Sequence, residues 1–273
     1  LPRLNGEILF KYFEKQAPFQ GQSKGDDMTR IYLISTTILL FFMTSITSAQ
    51  QMLPAGAVVR TINCTIDEGF TFDEVVERAR NLDRDDSSAQ SVFMRRPIYT
   101  TAEYQENWDV QIAAYYPSYS EMLERRSAAG NTTGRLPLSC GNPSVVRAIT
   151  GHQSQAYQDA QPDRSTMLTR FCSIRAGTNI NHSYNRIKTA SQSYADAGSD
   201  ELVQMYIPGL GGPQNPGYDF ILAEVGSSME KIHERLDLTR EGLRLVTSSN
   251  STSPFSCNRP ALWTTTAIYR SND

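Results

Sequence analysis

Four cysteines, three histidines and two tryptophans in 273 residues leave little room for several kinds of chemistry. There is no C-x-x-C, no H-E-x-x-H and no pair of neighbouring histidines, so the short-spaced ligand sets of metal sites are missing and no metal is expected. No G-x-S-x-G occurs, which removes the nucleophile elbow of serine hydrolases; Gly151 and Ser154 form only a partial echo of it. A basic surplus is absent too. With 26 Lys+Arg against 29 Asp+Glu the formal charge is -3, which excludes a general binder of nucleic-acid backbones. The glycine run at 209–212 leads into a strand instead of a helix, so it reads as a loop that could cover a cleft and not as a phosphate loop.

What is present starts with an address. Met28 is the first methionine, and Arg30 precedes the largely apolar run Ile31 to Met43, which is followed by small residues. A positive start, a short apolar stretch and small residues at Thr47 and Ala49 have the order of a secretory signal, with cleavage after Ala49. The run is too short for a comfortable span of the ~30 Å hydrocarbon core. Residues 1–27 read as an upstream extension and 28–49 as the signal peptide. The mature chain is expected to be exported, periplasmic or secreted, with no membrane attachment after cleavage.

Export places Cys64, Cys140, Cys172 and Cys257 in an oxidising compartment, where pairing is the default. The first two lie 76 positions apart and the last two 85, which suggests two similar units. The flanking text agrees. Ile66 and Gly69 after Cys64 align with Ile174 and Gly177 after Cys172, and Trp108-Asp109 before one apolar run aligns with Tyr218-Asp219 before another. Strands are predicted over 57–65, 91–94, 108–116 and 144–150, with helices over 71–82 and 118–126. Thr71 and Glu74 form a candidate capping box for the first helix. The second unit repeats the pattern, with strands over 169–174, 202–207, 218–225 and 261–269 and helices over 181–195 and 228–236. The domain expectation is therefore 50–151 and 165–273, joined by a Gln- and Asp-rich linker at 152–164.

The order β-α-β-β-α-β is that of the ferredoxin-like split motif, in which the last strand lies antiparallel beside the first. Cysteines late in a first strand and just before a last strand would meet across that seam. The expected disulfides are Cys64–Cys140 and Cys172–Cys257. Two such units in one exported chain resemble the dimeric α/β-barrel superfamily. The fold this implies is α+β: two tandem ferredoxin-like βαββαβ units whose antiparallel sheets pack as a pseudo-dimeric α/β barrel, an intramolecular pseudo-dimer. The superfamily includes cofactor-independent oxygenases, haem-handling enzymes and small-ligand binders, and fold alone does not choose among them.

Polar residues inside apolar strands of only one unit need a reason, because burial without a partner is costly. Gln111, Arg147 and Glu224 qualify. Alternation sets Asp109, Gln111 and Tyr115 on the face opposite Val110, Ile112 and Ala114. The first face is expected to look towards the other half, as a polar interface or as a ligand cleft in which Gln111 and Arg147 orient a ligand against Trp108, Tyr115 and Trp263. His182 and His233 are the candidate axial ligands if haem is bound, although no cofactor is the leading expectation; His152 stands alone in the linker. Three readings remain open: a binding or accessory protein for an unknown small molecule or protein, an enzyme of the superfamily, and an interaction partner using an open sheet edge.

Overall fold

Runs of β-branched and small apolar residues, broken by turn residues, fill the chain after residue 56, and each run becomes a strand. The computed structural model describes residues 52–82, 89–100, 108–128, 136–213, 216–240 and 253–271; the expected upstream extension and signal peptide lie outside them. Along the described chain come β1 (Ala57–Ile66), α1 (Phe72–Arg80), β2 (Ser91–Tyr99), β3 (Val110–Tyr116), α2 (Tyr119–Ala128), β4 (Leu138–Cys140) and β5 (Ser144–Gln153). Then follow α3 (Gln155–Ala160), β6 (Arg164–Ile174), α4 (Ile180–Asp196), β7 (Glu201–Pro208), β8 (Phe220–Gly226), α5 (Lys231–Arg240), β9 (Phe255–Cys257) and β10 (Ala261–Arg270). The stretch expected as a linker thus holds the end of β5, all of α3 and the start of β6.

The expected fold class is overturned. In place of two ferredoxin-like βαββαβ units with separate sheets, the chain builds one closed antiparallel barrel with ten strands and few helices. Eight strands form the ring in the order β10-β2-β3-β1-β5-β7-β8-β6, and β6 returns to β10. The short strands β4 and β9 are added on β1 and β6. The physical reason is edge pairing. β5 pairs with β7 from Val146↔Pro208 to Gln153↔Leu202, and β10 pairs with β2 from Leu262↔Tyr99 to Arg270↔Ser91. Packing two open sheets face to face would leave those backbone groups unpaired, whereas closure satisfies them. Closure also leaves no open edge in the eight-strand ring.

Side chains sort by strand parity. Val59, Ala113, Ala148, Ala223 and Trp263 point into the lumen, while Val110, Met94 and Cys64 point outward beneath α1. Ile187 of α4 packs on Cys172, Val203, Met205 and Phe220 beneath it. The capping box forms: Thr71 Oγ1 accepts from the Glu74 amide at 3.3 Å, and the Glu74 carboxylate accepts from the Thr71 amide at 2.7 Å. Those hydrogen bonds from Thr71 hold the Glu74 carboxyl below its ordinary value.

The aspartates that precede β3 and β8 do the same work in each half. Asp109 accepts from the Ile66 amide at 2.8 Å and Asp219 from the Ile174 amide at 2.6 Å, so each ties the end of one strand to its neighbour.

Both expected disulfides are present, Cys64–Cys140 joining β1 to β4 and Cys172–Cys257 joining β6 to β9. Closing loops of this length stabilises by about 4 kcal/mol in the chain-entropy account. Replacing Cys64 and Cys140 together by alanine is expected to lower the unfolding free energy by about that much, read from the denaturant midpoint of oxidised protein. A loss below about 1 kcal/mol would mean that the disulfide adds little to what strand pairing already secures.

Candidate functional site

The strand phase that buries Ala113 also turns Gln111 and Tyr115 into the barrel, and the phase of β2 turns in Phe93 and Arg95. Arg95 is 4% exposed. It donates to Gln111 Oε1 at 3.2 Å, to Tyr115 Oη at 2.7 Å and to Tyr206 Oη at 3.1 Å. The two phenol oxygens are 2.7 Å apart, and Tyr206 donates onward to Gln204 Oε1 at 3.0 Å. Gln111 in turn donates to Asn63 Oδ1 at 3.1 Å.

Every acceptor around this guanidinium is neutral. Among the described residues no carboxylate pairs with Arg95, and its Nε is buried without a hydrogen-bond partner. Burial opposes the charge, but Tyr115 and Tyr206 favour it more strongly, so the guanidinium stays above its ordinary value. Burial pushes the Tyr115 phenol well above its usual range, which keeps it a neutral donor. A buried charge without a counter-charge is expensive, by several kcal/mol after relaxation.

Arg95 stands at the inner end of a cavity of about 260 Å³. Trp108 and Trp263 form one wall, stacked with centroids 5.5 Å apart and planes 9° from parallel. Trp263 is fixed in turn by donating Nε1–H to Thr169 Oγ1 at 2.7 Å. Met167 and Ile221 add apolar surface, and Asn142, Pro213 and Pro216 stand on more exposed ground at the rim. The loop after β7 is drawn onto this rim: Gly209 donates to the Val145 carbonyl at 2.9 Å, and the Val145 amide donates to Leu210 at 2.7 Å. Gly211 has φ +71°, and a Cβ there would lie 2.7 Å from the Pro143 carbonyl oxygen. Only glycine fits that approach.

Of the residues expected to form a cleft, Gln111, Trp108 and Trp263 line this cavity, and Tyr115 reaches it through Arg95. Arg147 does not. It lies half-buried on the outer face with Val145 and Ile149, between Val58 and Ile207, and borders none of the described cavities. Glu224 is also on the outer face, beneath α5, in a separate ionic cluster. Arg170 donates to both its oxygens at 2.9 and 3.0 Å, and Arg235 bridges it to Glu201. Burial, with Glu224 nearby and Arg235 only partly offsetting, pushes the Glu201 carboxyl up to about 8. Burial works against Glu224 as well, but Arg170 and Arg235 outweigh it and hold that carboxyl down to about 2.

Arg95 and Tyr206 are the lumen residues that sequence reading missed. The predicted second strand ends at Met94, whereas the observed strand runs on to Tyr99 and so includes Arg95.

Among the described residues the lumen presents no histidine or thiolate to a haem iron. An axial bond needs histidine, thiolate, methionine or phenolate. All four cysteines are in disulfides, His182 and His233 are exposed on α4 and α5, and His152 borders none of the described cavities. Met167, Tyr206 and Tyr218 do line the cavity, and of these the Tyr206 oxygen is taken up by Arg95, Tyr115 and Gln204. Among the described residues no cluster of His, Cys, Asp or Glu could hold a metal ion, and no helix is long and apolar enough to cross a membrane.

No protein-family model and no curated protein matches the chain. Among solved structures it is similar to a mutant chlorite dismutase from Candidatus Nitrospira defluvii in complex with cyanide, with TM-score 0.44 and 12% identity over 78% of this chain and 92% of that one. Chlorite dismutase from the same organism in complex with imidazole gives TM-score 0.43 and 12% identity over the same shares of the two chains. Chlorite dismutases belong to the dimeric α/β-barrel superfamily.

Proposed function

We propose that this chain is an exported binding protein that takes a small aryl carboxylate into the barrel lumen. The observation that carries the reading is Arg95, a buried guanidinium without a carboxylate partner at the closed end of an aromatic-walled cavity. A carboxylate seated there supplies the missing negative charge, and charge-assisted hydrogen bonds are about twice as strong as neutral ones. Gln111 orients the carboxylate, and the Trp108–Trp263 wall takes the flat apolar body. The two disulfides suit an oxidising compartment.

The chain carries only two tryptophans, and both line the cavity, so intrinsic fluorescence reports on this site alone. Titration with benzoate and cinnamate is expected to change that emission saturably. Benzamide, which matches benzoate in shape without its charge, is expected to bind at least tenfold more weakly. A flat response to both carboxylates, or equal affinity for benzamide, overturns the reading.

A further inference from the structure

Arg95 borders a second cavity, of about 190 Å³, at the opposite end of the lumen. Its far end is formed by Arg270, the last residue of β10. One Arg270 amino group donates to the Pro162 carbonyl at 2.8 Å, while its Nε is buried without a hydrogen-bond partner. Among the described residues no carboxylate pairs with it. One cavity thus has an uncompensated guanidinium at each end.

Between the two ends aromatic and apolar side chains form one side of the wall, and Ser165, Gln204 and Thr265 also line it. Arg270 Cζ sits 5.1 Å from the Phe93 ring centre, the Phe93 and Tyr115 rings are 5.6 Å apart in edge contact, and Arg95 Cζ lies 6.0 Å from the Tyr115 ring. The cations are therefore separated by two aromatic rings, with Met167 and Val225 on the facing surface. Burial pushes the Tyr157 phenol on α3 up to about 12 against the pull of both arginines, so it remains a neutral donor at the side of this cavity. Ser91, Tyr157 and Arg270 also border an open depression around Gln155 and Gln158, which gives a path from solvent.

We infer that this second cavity is a binding site for a linear α,ω-dicarboxylate of medium chain length, one carboxylate on Arg95 and the other on Arg270, with the methylene chain along Phe93 and Tyr115. A monocarboxylate would leave one of the two guanidiniums without a counter-charge. A single compact oxyanion would leave the apolar stretch uncovered. The inference shares Arg95 with the aryl-carboxylate reading of the first cavity, and Arg270, which lines the second cavity and not the first, tells the two apart.

Calorimetric titration of the oxidised full chain with the series succinate, adipate, suberate and sebacate tests it. Affinity is expected to peak within the series, and hexanoate and sulfate are each expected to bind at least tenfold more weakly than the best dicarboxylate. Arg270→Gln is expected to lower adipate affinity tenfold or more, Arg270→Lys only a few-fold, and neither to alter the tryptophan response to benzoate. Equal binding of hexanoate and adipate, no binding anywhere in the series, or wild-type affinity in Arg270→Gln overturns the site. The chain-length comparison needs no variant, so it decides even if Arg270→Gln does not fold.

Discussion

Arg95→Met is expected to make the protein more stable and unable to bind aryl carboxylates. The guanidinium is buried, and its surroundings offer only neutral oxygens. Replacing such a charge by an unbranched apolar side chain of similar length removes the cost of taking the guanidinium out of water, together with the neutral hydrogen bonds that offset it. Exchanges of buried ionic groups for apolar ones are often neutral or stabilising by about 1–4 kcal/mol. The groups left behind are not orphaned. Tyr115 and Tyr206 keep the bond to each other and Tyr206 keeps Gln204, while Gln111 keeps Asn63 and faces the cavity. A gain of roughly 1–3 kcal/mol in denaturant unfolding is expected, with benzoate affinity falling about a hundredfold, the equivalent of nearly 3 kcal/mol. The combination matters: a residue kept for architecture would lower stability when removed. Destabilisation with binding intact would sink the assignment of Arg95 to a ligand.

The second large effect is on pH. Glu201 and Glu224 share Arg235, and they titrate in opposite directions from the ordinary carboxylate value near 4.5. Glu201 is raised on folding, to about 8, so the native state takes up a proton. Its contribution is fully present below the unfolded value and is lost as pH rises through 8. Glu224 is lowered to about 2, so its contribution is present above the unfolded value and is lost as pH falls towards 2. Stability is therefore expected to be greatest near pH 5 and to decline towards pH 8. At about 1.4 kcal/mol per pKa unit the decline amounts to a few kcal/mol. Glu201→Gln, which fixes the protonated form in shape and charge, is expected to flatten that upper limb and leave the acid limb in place. Parallel decline in variant and wild type between pH 5 and 8 would assign the effect to other groups.

Strand positions were legible because they rest on local pattern, and the cysteine pairing followed from the antiparallel contact expected at the end of the first strand in each half. Alternation from Asp109 to Tyr115 put Gln111 and Tyr115 on one face, and that face is the lumen. The same rule was available for Glu224 and was not applied. Counting by twos from Asp219 reaches Ile221, Ala223 and Val225, which line the lumen, so Glu224 must face outward. Arg147 fails by the same parity, since Ser144, Val146 and Ala148 are the inward set of β5. Barrel closure was not legible. Which strand meets which across β5–β7 and β10–β2 depends on pairings between residues far apart in the chain, and hydrophobic period carries no signature of them. Arg95 lies one residue beyond the predicted end of the second strand, so alternation was not carried to it.

β10 has one further consequence. It is the stave that meets both β2 and β6, and it follows every other strand in the order of synthesis. A nascent or translocating polypeptide can assemble up to seven staves and still present two long unsatisfied seams until residues 261–270 arrive. Such seams template association with other chains. The interval before the last stave docks is thus when this protein most needs isolation from its own copies, and a chain cut short before Ala261 would stay in that interval permanently.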